Sequence, residues 1–165
     1  MAKKGNMKYA SVTTSPIGQI TILADDEFVH TVTFAETDIT GLNENPLTLK
    51  AVQQLNDYFN GKLQQFNFPI KQNGTEFQQE VWQNLLNIPF GETTSYAKFS
   101  AHNPLAIRAI AAANGKNNMA IVVPCHRVIG SNGKLVGYAG GLWRKQWLLQ
   151  HEREVAQKGQ TALKF

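Results

Sequence analysis

The hydrophobic pattern changes character at Lys71-Gln72-Asn73-Gly74, and this polar, turn-rich stretch constrains the fold of the 165-residue chain more than any other feature. Upstream, residues 8–14, 19–24 and 28–34 read as strands, joined by Ser15-Pro16-Ile17-Gly18 and by the acidic turn Asp25-Asp26-Glu27. Residues 47–60 read as one helix, with Ala51, Val52, Leu55, Tyr58 and Phe59 at one-face spacing and Gly61 placed to end it. Phe66-Asn67-Phe68-Pro69-Ile70 alternates like a short edge strand. Downstream the period is helical. Residues 75–88 carry Phe77, Val81, Trp82, Leu85 and Leu86 on one face, behind a Thr75/Gln78 capping box. The expectation is therefore an α/β domain of mostly antiparallel strands over residues 1–72 and an all-helical domain over residues 73–165.

Two further short helices are predicted beyond Pro89-Phe90-Gly91-Glu92, one over residues 96–101 and one opening at Asn103-Pro104. Asn114-Gly115 reads as the stop of the second. Their brief connection fits a helix-turn-helix of the winged-helix type. The second helix is small on its surface: Ala106, Ala109, Ala111, Ala112 and Ala113 surround a single charge, Arg108. Such a helix can press closely into a groove.

Composition narrows the function classes. Hydrophobic residues make up 42% of the chain, which is enough for real cores. The first residues, Met1 to Asn6, lack the apolar core of a signal peptide, and no apolar run reaches the ~18–20 residues of a membrane span. These features point to a cytoplasmic protein without a membrane partner. One cysteine, Cys125, excludes an intrachain disulfide and any multi-cysteine zinc site; no metal and no cofactor are expected. Charge is uneven: residues 104–165 hold nine Lys/Arg against two Asp/Glu. A region this basic suits a polyanion, nucleic acid before membrane.

Ala120-Ile121-Val122-Val123 reads as a buried strand running into Pro124-Cys125-His126-Arg127-Val128. A thiol at a rigid strand end beside a histidine is a plausible activated nucleophile. Adjacent residues of a strand point to opposite faces, however, so sequence adjacency alone does not pair Cys125 with His126. A third group must orient the base, and Glu152, Asp57 and Glu154 all remain open.

The stretch Pro124-Cys125-His126-Arg127-Val128 resembles the active-site signature of the O6-alkylguanine-DNA alkyltransferases, the methylated-DNA–protein-cysteine methyltransferases. Further motifs match collinearly: Phe77-Gln78-Gln79-Glu80-Val81-Trp82, the run from Ile88 to Tyr96, Asn103-Pro104, Arg108-Ala109-Ile110, Gly137-Tyr138-Ala139-Gly140-Gly141-Leu142 and Leu148-Leu149-Gln150-His151-Glu152. The match is strong over residues 75–155 and general in the N-terminal third. The stretch from Tyr96 to Asn103 is slightly shorter than the family pattern. With one cysteine, these residues are not expected to build the cysteine-rich zinc-binding regulatory domain of some bacterial relatives.

The resemblance implies a ribonuclease-H-like N-terminal domain and a chemistry of direct reversal. The alkyl group of O6-methylguanine, and of O4-methylthymine, would pass from DNA to Cys125 in a single turnover. His126, acting through a water, would take the thiol proton; Glu152 would orient His126; Asn117 would brace the active-site turn; and Tyr96 would protonate the departing guanine. A monomer would bind double-stranded DNA through the minor groove, with the damaged base flipped out and Arg108 filling the gap. Ala109, Thr94, Asn103, Arg127, Val128, Ser131, Tyr138, Ala139 and Lys145 complete the expected DNA and substrate contacts. His30, His102 and His151 have no place in the motif. Trp82, Trp147 and the Phe66/Phe68 pair are expected in the core. A lesion binder without transfer chemistry, a papain-like hydrolase and a plain helix-turn-helix transcription factor are the rivals.

Overall fold

In the computed structural model the described residues are 8–163, with side chains described for 8–158; the Met1 to Asn6 reading lies outside them. The chain divides into two units. One runs through Asn73 and takes in Asn118–Val122; the other comprises Gly74–Asn117 and the chain from Val123 onward.

The first unit is an antiparallel sheet of β1 (Tyr9–Ser15), β2 (Gly18–Ala24) and β3 (Val29–Thr33) in that order, with Val12 opposite Thr21 and Ile22 opposite Val32. Ile20, Ile22, Ala24, Val29 and Val32 are all buried on one face of the sheet. They meet α1 (Pro46–Phe59), which packs on β1 and β2 and buries Ala51, Leu55 and Tyr58. Asn45 caps α1 in a box with Thr48, and Pro46 at the first position needs no hydrogen-bonded N–H. Gly61, at φ 74°, ends the helix in the left-handed region, as the sequence predicts.

Two strand expectations fail here. Residues 66–70 form no strand: the Asn67 N–H goes to the side chain of Gln54, Pro69 has no N–H, and only Ile70 bridges Val29. Phe68 is buried as expected, whereas Phe66 is only partly so. Residues 120–123 are a turn, because only Met119 bridges β3 before Ile121 takes a left-handed φ of 71°.

In the second unit, α2 (Glu76–Leu85) is capped by the Thr75/Gln78 box and buries Val81, Trp82 and Leu85. Phe77 and Leu86, expected on that face, are 37% and 43% exposed. Trp82 donates its indole N–H to the Ala113 carbonyl at 2.9 Å, tying α2 to α4 (Ile107–Gly115). Val81, Ile110 and Ala113 form the shared core, with Phe99 and Ala106 packed against it. Between these helices lies α3 (Tyr96–Phe99), followed by a 3-10 turn at Pro104–Ala106.

The second helix of the predicted pair therefore opens as 3-10, and Asn103 makes no side-chain cap bond. Nor does the helix stop at Asn114-Gly115 through a left-handed glycine: both residues lie inside α4, and Lys116 closes it in a right-handed conformation. The unit also holds a two-residue parallel pair, β4 (Thr94–Ser95) with β5 (Val128–Ile129), and the long α5 (Leu142–Leu163). The buried face of α5 carries Lys145, Leu148, Leu149 and Glu152, at helical spacing. Trp147 is only partly buried, stacked on His151 one turn on. Among the described residues no helix is long and apolar enough to cross a membrane.

Candidate active site

Two tight turns deliver the cysteine. Val122 donates to the Ala120 carbonyl at 2.7 Å across Ile121, a positive-φ γ-turn that is strained for a β-branched residue. Cys125 then donates to the Val123 carbonyl at 2.8 Å across Pro124, whose φ of −82° and ψ of 63° are those of the relaxed inverse γ-turn. The same Val123 carbonyl accepts from Asn117 Nδ2 at 2.8 Å. Asn117 thus braces the turn from below. Cys125 opens a 3-10 turn with His126 and Arg127 instead of ending a strand, so the strand argument for opposed side chains does not apply.

His126 is fully buried, with Nε2 at 2.7 Å from Glu152 Oε2. A carboxylate only accepts, so Nε2 carries the proton and Nδ1 holds the lone pair. Nδ1 is buried and has no protein partner among the described residues. Glu152, 1% exposed, also accepts from Arg127 Nε at 2.8 Å and Nη2 at 3.0 Å, and more weakly from the Gly91 N–H at 3.3 Å. Burial alone would raise its pKa, but His126 and Arg127 outweigh that and hold the carboxyl well below the usual range. Burial pushes the His126 pKa down, against the pull of Glu152, so the imidazole is neutral. Of the three acidic residues left open by the sequence, Glu152 is the partner.

Cys125 lines a pocket of 420 Å³, within the range of small-ligand sites, together with Tyr96, Ala111, Asn114, Asn117, Tyr138 and Ala139. Burial raises the thiol pKa, while a hydrogen bond from Asn117 and the charge of Lys145 favour the thiolate. The Tyr96 pKa is raised too, by burial first, and its hydroxyl accepts from Asn114 Nδ2 at 2.7 Å. Tyr138 is a second phenol in the pocket wall, its hydroxyl buried and unpartnered among the described residues.

The remaining expected residues fall into two groups. Arg108, Ala109, Asn103 and Ser131 are exposed, and Thr94 sits in β4 opposite Val128. Arg127, Val128 and Lys145, by contrast, have buried side chains. The Arg127 guanidinium is consumed by Glu152 and by the Ile88 carbonyl at 2.7 Å. Lys145 donates to the carbonyls of Val128 and Val136, both at 2.7 Å, and burial lowers its pKa to about 8. Two of the nine basic residues behind the charge argument are therefore internal. Sequence reasoning missed Asn114, which it read as a helix stop; its place one residue inside a terminal glycine hid it. Among the described residues no cluster could hold a metal ion.

Family models match both parts of the chain: the ribonuclease-like domain of 6-O-methylguanine DNA methyltransferase over residues 8–72, and its DNA-binding domain over residues 76–154. A methylated-DNA–protein-cysteine methyltransferase of Mycolicibacterium paratuberculosis is 47% identical, over 84% of this chain and 88% of its own. The constitutive one of Bacillus subtilis is 40% identical, over 89% and 96%. The crystal structure of Mycobacterium tuberculosis OGT in complex with DNA superposes with a TM-score of 0.81 at 43% identity, covering 89% of this chain and 94% of that one. The chain belongs to the 6-O-methylguanine DNA methyltransferase family.

Proposed function

We propose that this chain repairs alkylated DNA by direct reversal, moving the alkyl group of O6-methylguanine, and of O4-methylthymine, onto Cys125 once per molecule. The observation that carries the reading is a lone thiol lining a pocket of small-ligand size, followed in the chain by a buried imidazole whose Nδ1 is held as the acceptor by Glu152. His126 takes the thiol proton through a water. The sulfur attacks the alkyl carbon in line, the carbon–oxygen bond breaks, and its electron pair leaves with the base. Tyr96 gives that base a proton, so guanine departs neutral. Nothing in the pocket offers a route for cleaving the resulting thioether, so each molecule acts once.

DNA recognition follows from α4. Arg108 stands exposed among Ala109 and Ala112, small enough to let the helix into the minor groove. The target oxygen lies inside the duplex stack, so the base must be extruded, and Arg108 takes its place there. A monomer suffices, because the pocket and α4 belong to one unit. The free thiol suits the reducing cytoplasm. A pure lesion binder is disfavoured, since the acceptor cysteine is present.

The test is to incubate the protein with an oligonucleotide containing O6-methylguanine and weigh the intact chain. The mass rises by one methyl group, located on Cys125, with guanine restored in the DNA. Cys125→Ser abolishes transfer and keeps DNA binding. Turnover beyond one equivalent overturns the mechanism.

A further inference from the structure

The Asn114–Tyr96 pair is not accounted for by the chemistry above. Asn114 is 4% exposed and lines the pocket from the last turn of α4. Its Nδ2 donates to the Tyr96 hydroxyl oxygen at 2.7 Å. Its Oδ1 is buried without a hydrogen-bond partner among the described residues, so this is the one hydrogen bond the side chain makes there. A phenol oxygen that accepts from an amide keeps its own hydrogen for another acceptor, and Tyr96 faces the pocket that holds Cys125.

We infer that Asn114 is a positioning residue for proton donation: it holds the Tyr96 oxygen from behind, directs the hydroxyl hydrogen at the departing base, and stabilises the phenolate that forms as the proton leaves. The inference rests on the repair reading above. As the alkyl carbon–oxygen bond breaks, the proton moves from Tyr96 to the base and negative charge grows on the phenol oxygen. The amide bond to that oxygen strengthens at the same moment, which is where a hydrogen bond lowers a barrier instead of merely binding. Burial makes Tyr96 a reluctant acid, and the Asn114 bond acts in the opposite direction. The helix that carries Arg108 into the DNA thus also carries the residue that tunes the acid, six positions on.

The test uses Asn114→Leu, close in size and unable to donate, with Tyr96→Phe and the double variant in the full chain. Two reactions of Cys125 are timed under single-turnover conditions: transfer from O6-methylguanine in duplex DNA, and alkylation by iodoacetamide. Iodide leaves without a proton, so only the first reaction needs an acid. Asn114→Leu is expected to slow methyl transfer by about tenfold or more, the rate equivalent of one pKa unit, and to leave iodoacetamide alkylation nearly unchanged. In the Tyr96→Phe background it has no further effect, since the group it acts through is gone. Equal slowing of both reactions, additive slowing in the double variant, or a wild-type transfer rate each overturns the inference. Failure of the wild-type chain to take up a methyl group overturns the repair reading itself, a distinct result.

Discussion

Glu152→Gln separates charge from shape at the centre of the site. The carboxylate accepts from His126 at 2.7 Å and from Arg127 at 2.8 and 3.0 Å while 1% exposed. Glutamine keeps the volume and loses one acceptor. With its oxygen on Arg127, its NH2 faces His126 Nε2, donor against donor. The imidazole relieves this by shifting its proton to Nδ1, the nitrogen that must stay free to act as base. General-base assistance is worth about 10²–10⁴ in rate, and a thiol ionises partly unaided, so methyl transfer should slow by about 10²-fold. The guanidinium of Arg127 meanwhile stays buried without its counter-ion, at a cost of about 3–5 kcal/mol. With a urea slope near ~2 kcal/mol per molar, the unfolding midpoint should drop by about 2 M. All three tryptophans, Trp82, Trp143 and Trp147, lie in the helical unit, so fluorescence follows the affected part of the chain. Transfer is then timed in buffer where circular dichroism reports a folded variant. A midpoint near that of the wild type, or wild-type transfer by the folded variant, would refute the reasoning.

Three further outcomes are expected. Arg108→Ala slows single-turnover repair in duplex DNA but spares reaction with free O6-benzylguanine, which needs no flipping; equal slowing on both substrates assigns Arg108 to the pocket or the fold instead. Acid destabilises the protein in a defined direction, because His126 and Glu152 both have folded pKa values below their ordinary ones. Their contribution is complete above the ordinary histidine value of ~6.5 and is lost as pH falls, first through His126 and then, below ~4.3, through Glu152; a urea midpoint constant from pH 8 to pH 4 contradicts this. Binding to unmodified duplex weakens steeply with added salt as counterions are displaced, and a salt-independent affinity removes the basic region as the DNA face.

Much of this was legible from local signals. Asn45/Thr48 and Thr75/Gln78 announce helix starts because capping is a contact between near neighbours, and Gly61 marks an end for the same reason. What misled was a signal whose meaning depends on distant partners. Residues 121–123 are apolar and β-branched, and burial satisfies them as well in a turn as in a strand. Residues 66–70 alternate correctly, yet the Asn67 N–H was already claimed by Gln54, a partner no periodicity reveals. In the site, Cys125, His126 and Glu152 stand out by residue type and motif. Arg127 and Lys145 do not, because charge in a sequence reads as surface until a buried acceptor is known. Positions 145, 148, 149 and 152 share one face of α5, but half of them are charged, so the stripe looks unremarkable as an apolar pattern.

Lys145 also has a bearing on the segment it spans. Its ammonium joins the carbonyls of Val128 and Val136, the two ends of a loop whose middle, Ser131 to Lys134, is exposed. The ends are thus pinned by a cross-link that does not pass through the loop itself. Adding residues between the pins then costs only the slow logarithmic entropy of a larger ring, about 0.6 kcal/mol for each doubling. The downstream wall of the pocket, Val136 to Ala139, keeps its anchor whatever the loop's length. Residues 131–134 are accordingly the place where this chain can accept an insertion, such as an epitope, without disturbing the pocket wall beside it.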